Sequence, residues 1–139
     1  MIIEICSRSE ALKLAAAARV STSVISITST EEEDLDFSGN TKIRSVLHLK
    51  FNDLTEEYDE YGMPYGRPLP KQKDFDGLRD FVTALDCDRL IVHCWEGVSR
   101  SAAVAQAIYE FRGRTDTVRA EQPGRPNPLV YTLARRELI

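Results

Sequence analysis

The segment Leu90-Ile-Val-His-Cys-Trp-Glu-Gly-Val-Ser-Arg-Ser101 gathers a cysteine, a glycine, an arginine and a serine into one short run. A buried-type apolar stretch ends at Cys94, five residues follow, and a helical pattern opens at Arg100. A short loop at the start of a helix turns its backbone N–H groups into one concavity, and the helix dipole adds positive potential there. An anion of the phosphate type suits such a cradle, formed here by Trp95, Glu96, Gly97, Val98, Ser99 and Arg100. The same field favours a thiolate at the lip of the loop, which makes Cys94 the candidate nucleophile. Arg100 offers a planar fork that binds two phosphoryl oxygens at once. Gly97 supplies a backbone angle or a close approach that a side chain would forbid. Ser101 is placed to donate to the sulfur and so ease its departure from a phosphorylated intermediate. His93 orients the loop.

The elements that must hold this loop are legible as patterns. Four β-rich runs, at 2–6, 24–28, 46–51 and 90–94, are bounded by turn or helix signals. Helical spacing predicts helices over 10–19, 101–112 and 74–85, where Phe75, Leu78, Phe81, Val82 and Leu85 share a face. A fourth helix is expected over 128–137, with Asn127 as its cap and Pro128 as its first residue. Strands alternating with helices specify a three-layer α/β domain, with a mostly parallel sheet of four or five strands and helices on both faces. Two stretches, 30–41 and 55–73, are poor in apolar residues. The second contains Gly62, Pro64, Gly66, Pro68 and Pro70 and is long enough to serve as a lid or a binding loop.

Composition narrows the partners. The 139 residues, 42% hydrophobic and 29% charged, suit one globular domain over 1–139. Such a chain buries roughly 68–70% of its unfolded surface, so it needs no metal or disulfide staple. Eighteen Lys and Arg against 22 Asp and Glu give a net charge of −4, the wrong sign for a non-specific nucleic-acid binder. No run is long and apolar enough to span a membrane, and no basic segment precedes the first apolar run, so a cytoplasmic protein is expected. Cys6, Cys87 and Cys94 form neither an even framework nor a C-x-x-C pair, which leaves reduced thiols as the default. With only His48 and His93, a metal site has little support.

His93-Cys94-x-x-Gly97-x-x-Arg100-Ser101 resembles the H-C-x-x-G-x-x-R-[ST] signature of the protein tyrosine phosphatase superfamily, and its variable positions look most like those of small dual-specificity phosphatases. The likeness extends to the strand before the motif, the helix after it, and Pro126-Asn127-Pro128 at the start of another helix. It implies hydrolysis of a phosphorylated protein or a small phosphomonoester through a cysteinyl-phosphate, without cofactor or metal. It also implies an aspartic acid on another loop to protonate the leaving oxygen. Asp53 is the candidate, at the carboxyl edge after His48-Leu-Lys-Phe-Asn, with Asp59, Asp74 and Asp76 as rivals. If the family's strand order holds, the first strand lies beside the one ending at Cys94, and Cys6 comes within disulfide reach of Cys94. The acidic residues Glu56, Glu57, Asp59 and Glu60 argue against highly anionic substrates. Two other readings use the same pattern: a catalytically inactive phosphate- or phosphopeptide-binding module, and a sulfur-transfer or reductase enzyme, which the G-x-x-R-S ending disfavours.

Overall fold

A computed structural model describes all residues, 1–139. Five strands form one sheet in the order β3-β2-β4-β1-β5: β1 (Ile2–Cys6), β2 (Thr22–Thr28), β3 (Ile43–Lys50), β4 (Arg89–His93) and β5 (Thr117–Ala120). Every pairing is parallel. The helices are α1 (Arg8–Ala16), α2 (Leu78–Thr83), α3 (Arg100–Phe111) and α4 (Pro128–Leu138). The expected α/β fold is therefore present, with β5 as its fifth strand.

Two separate apolar layers sandwich the sheet. On one face, Ile3, Ile5, Leu90 and Val92 pack against α2, α3 and α4 through residues such as Leu78, Ala103, Ile108, Val130 and Leu133. On the other, Cys6, Val24 and Ile91 pack against Ala11 and Ala15 of α1 and against Leu35 and Phe37 of the loop before β3. Residues of opposite parity along a strand serve opposite layers, as pleating requires. The interior strand β2 is buried throughout although four of its seven residues carry hydroxyls. Each hydroxyl is paired: Thr22 Oγ1 with Val20 O, Ser23 with Ser45, Ser26 with His93, and Thr28 with Lys50 Nζ.

The order of the strands decides where a ligand can sit. β1 and β4 are neighbours, yet β1 leads into α1 on one face and β4 leads into α3 on the other. The carboxyl ends of such a pair splay their following loops apart and leave a crevice. Cys94 follows β4 directly at that crevice.

One expected helix is different in kind. The run 74–85 is divided into a 3-10 turn, Gln72–Phe75, and α2, because Gly77 at φ 87° takes a left-handed conformation that a continuous helix cannot include. Phe75 and Leu78 still reach the same core. α1 also begins earlier and ends earlier than the 10–19 pattern: Ser7 caps it by accepting from Glu10 N–H. No helix is long and apolar enough to cross a membrane.

Candidate active site

The loop from Cys94 to Ser99 is held on three sides. Gly97 has φ 77°, and a Cβ added to it would lie 2.4 Å from Cys6 C and 2.6 Å from Ser7 N, so both the conformation and the contact with β1 require glycine. Arg8 N–H donates to Trp95 O at 3.1 Å. From the far side, Arg125 N–H donates to Val98 O at 2.8 Å, Asn127 N–H to Ser99 O at 3.2 Å, and Gln122 Nε2 to Glu96 O at 2.5 Å. Beneath the loop, His93 is fully buried. Burial pushes its imidazole down to about 4, so it is neutral at physiological pH. Its Nδ1 lies 3.1 Å from Cys94 O, which can only accept, so Nδ1 carries the proton and Nε2 accepts from Ser26 Oγ at 2.6 Å. His93 thus bridges the Cys94 carbonyl to Ser26 of β2.

Cys94 is 3% exposed, and its Sγ lies 3.1 Å from Ser101 Oγ. Arg100 is 5% exposed and forms no salt bridge. Its Nη1 donates to Ser29 Oγ at 2.9 Å and to Phe51 O at 3.0 Å, while its buried Nε has no partner. A buried guanidinium without a carboxylate is costly unless an anion joins it. Glu32 lines the same cleft and feels the Arg100 charge. Burial pushes that carboxyl up, but the Ser29 N–H and the charges of Arg100 and Arg8 bring it below its ordinary value.

Asp53 stands across the cleft, three residues beyond β3. Its Oδ1 accepts from Ser99 Oγ and from Asn127 Nδ2, both at 2.8 Å. Asn127 also donates to Leu54 O at 3.2 Å and caps α4 by accepting from Leu129 and Val130 N–H. One buried amide therefore ties the aspartate, the loop and the last helix together. Two donors on Oδ1 leave Oδ2 as the oxygen to carry a proton. Of the rivals, Asp59 closes a turn with Tyr61 N–H, Asp74 accepts from Lys71 N–H, and Asp76 is exposed; none lines the cleft.

The cleft has a volume of about 700 Å³ and brings together Cys94, Trp95, Glu96, Val98, Ser99, Arg100 and Asp53. Trp95 is 55% exposed on the cleft wall and lies 5.1 Å beneath the Arg8 guanidinium. Glu96 points a solvated side chain at the rim. Ser29, Glu31, Glu32, Arg67 and Arg125 also line the cleft, and no local motif marked them. The asparagine in Pro126-Asn127-Pro128 was legible as a cap but not as the partner of Asp53.

Cys6 corrects one expectation. β1 does lie beside β4, but Cys6 is in register with His93, not Cys94. Residues in register share a face, so the Cys6 thiol joins the α1 layer while Cys94 belongs to the α3 layer. Burial, reinforced by Glu121, Glu10, Glu4 and Cys94, pushes the Cys6 thiol up to about 12. Comparison with known proteins finds no family model, no curated protein and no solved structure that matches this chain.

Proposed function

We propose that this protein is a metal-independent phosphate monoester hydrolase of the protein tyrosine or dual-specificity type, working in the cytoplasm on a phosphorylated protein or a small phosphomonoester. The observation that carries the reading is the buried, unpaired Arg100 with a free Nε beside the buried Cys94 at one cleft floor. A phosphoryl group supplies the missing charge and places phosphorus against sulfur. Cys94 attacks phosphorus, and an S–P bond forms as the bond to the leaving oxygen breaks. Asp53 gives that oxygen the proton held on Oδ2. Water then attacks phosphorus, Asp53 takes its proton, and Ser101 hydrogen-bonds to the departing thiolate. Arg100 and the loop N–H groups hold the non-bridging oxygens in both steps.

The test is hydrolysis of p-nitrophenyl phosphate with EDTA present, for the native chain, Cys94→Ser and Asp53→Asn. Turnover is expected in the native protein and not in the serine variant. The asparagine variant should lose most rate on esters with poor leaving groups, which depend most on the acid. A native chain that binds phosphopeptides but turns over no ester would instead be a phosphate-binding module.

A further inference from the structure

The centre of the irregular segment between β3 and α2 is ordered by its own backbone. Tyr58 and Pro64 form an antiparallel bridge. Asp59 N–H donates to Met63 O at 2.8 Å, and Tyr65 N–H to Glu57 O at 3.1 Å. Asp59 Oδ1 closes the turn by accepting from Tyr61 and Met63 N–H, both at 2.9 Å. The result is a short preformed arm, 57–67, that leaves its large side chains in water. Tyr61 is 83% exposed, Met63 62%, Tyr58 54% and Tyr65 46%. Aromatic and methionine side chains displayed together on an ordered scaffold add nothing to the core and are what interfaces use.

The arm adjoins the cleft. Arg67 at its end lines the cleft and also a second depression of about 510 Å³, walled by Tyr58, Pro64, Pro68 and Leu69. Asn52, next to Asp53, donates to Pro68 O at 3.1 Å and fixes the returning chain. A ligand whose phosphoryl group meets Arg100 therefore has an apolar shelf beside it. The charges around the mouth choose its chemistry. Glu31, Glu32, Asp53 and Glu96 of the cleft and Glu57 of the depression outnumber Arg67, Arg125 and Lys71, the cations left once Arg100 holds the phosphate. A polyanion is repelled there, while a single phosphate flanked by cations is attracted.

We propose that the arm docks the polypeptide flanking the phosphorylated residue of a protein substrate, and that this flank carries basic and apolar side chains; the assignment rests on the hydrolase reading of the cleft. The experiment compares two phosphotyrosyl peptides of equal length, one flanked by Arg and Leu and one by Glu and Ser, with p-nitrophenyl phosphate as the small ester. A Tyr58→Ser, Tyr61→Ser, Met63→Ser variant removes the arm's apolar surface from exposed positions, and its melting temperature checks the fold. The native chain should favour the basic, apolar peptide by about tenfold or more in kcat/KM, and the variant should lose that preference through KM while keeping the small ester within about twofold. Fluorescence anisotropy with both peptides on a Cys94→Ser background, with and without the arm substitutions, reads binding without turnover.

Equal kcat/KM for the two peptides in the native chain overturns the proposal, as does an equal loss on peptide and small ester in the variant. A native dimer that the arm substitutions dissolve overturns it by giving the arm to a second copy. Arm-dependent peptide binding with no turnover of any ester keeps the docking role and removes the hydrolase reading. Ester turnover together with peptide turnover and peptide binding that the arm substitutions leave unchanged does the reverse.

Discussion

Cys6 and Cys94 occupy matching places, each at the carboxyl end of a neighbouring parallel strand that leads into a helix. Only Ser7 separates β1 from α1, whereas residues 94–99 separate β4 from α3. The short link satisfies itself: Ser7 Oγ accepts from Glu10 N–H at 3.3 Å, and Ser7 N–H donates to Glu121 at 2.9 Å. At the long link, the Ser99 side chain does not cap its helix but donates to Asp53. The first helix thus has its amino end closed by its own chain and by a carboxylate, and the second has no side-chain cap. On the proposed hydrolase reading, what sets Cys94 apart from Cys6 is the length and capping of the loop that follows it.

The sharpest way to break this comparison is to remove each thiol in turn. Cys94→Ser should lower kcat on p-nitrophenyl phosphate by about 10³-fold or more, since a hydroxyl in that loop is a far poorer nucleophile than a thiolate. Cys6→Ala should keep kcat within about twofold and cost about 1 kcal/mol of stability, the loss of one buried sulfur's packing. Steady-state kinetics and urea melts on the two variants separate the roles. Comparable kinetic losses would mean that the two links are functionally alike.

Gly97 is where the two links touch. Gly97→Ala would place a methyl group 2.4 Å from Cys6 C at φ 77°, with rigid backbone as the obstacle. The strain is about 1–3 kcal/mol, and the displaced loop should lose about 10²-fold in kcat. If a melting curve and kinetics both match the native chain, the loop is not registered against β1 in the way described.

The local parts of this molecule were readable and the assembled parts were not. Residues 93–101 carry their own strand end, glycine and helix start, and the first strand and the last helix announce their boundaries through Ile2–Cys6 and Asn127-Pro128. β5 was not, because Thr117–Ala120 is a four-residue edge strand exposed along its whole length, too short for its alternation of Val118 and Ala120 with polar residues to stand out. Ser29, Arg67 and Arg125 come to the cleft from distant segments that only the sheet order brings together. Cys6 shows the limit most clearly. Strand adjacency followed from the resemblance, but the face of the thiol depends on register, and a step of one residue reverses it.

His93 links the layers, sharing a face with Cys6 while holding the carbonyl of Cys94. Its imidazole is lowered from 6.5 to about 4 by burial. The unfolded chain therefore binds a proton that the folded chain refuses, and stability from this group is complete above about pH 6.5 and falls as pH drops towards 4. The loss across that window is on the order of 3 kcal/mol. Urea melts between pH 4 and 7 should show this slope in the native chain and a shallower one in His93→Asn. An unchanged slope would assign the acid sensitivity to the carboxylates.

The smallest contrast lies in the two helix caps, Asn127 and Ser7. Each substitution to alanine removes side-chain acceptance at the start of a helix and should cost about 1 kcal/mol of stability. Only Asn127 also donates to Asp53, so Asn127→Ala should in addition lower kcat about tenfold on esters with poor leaving groups, through an aspartate free to turn its proton away. Ser7→Ala should leave kcat unchanged, because the closed amino end of α1 faces no ligand. A leaving-group series on the two variants reads the difference directly: parallel slopes would show that Asn127 acts through the fold alone, and a steeper slope for Asn127→Ala would place it in the positioning of the acid.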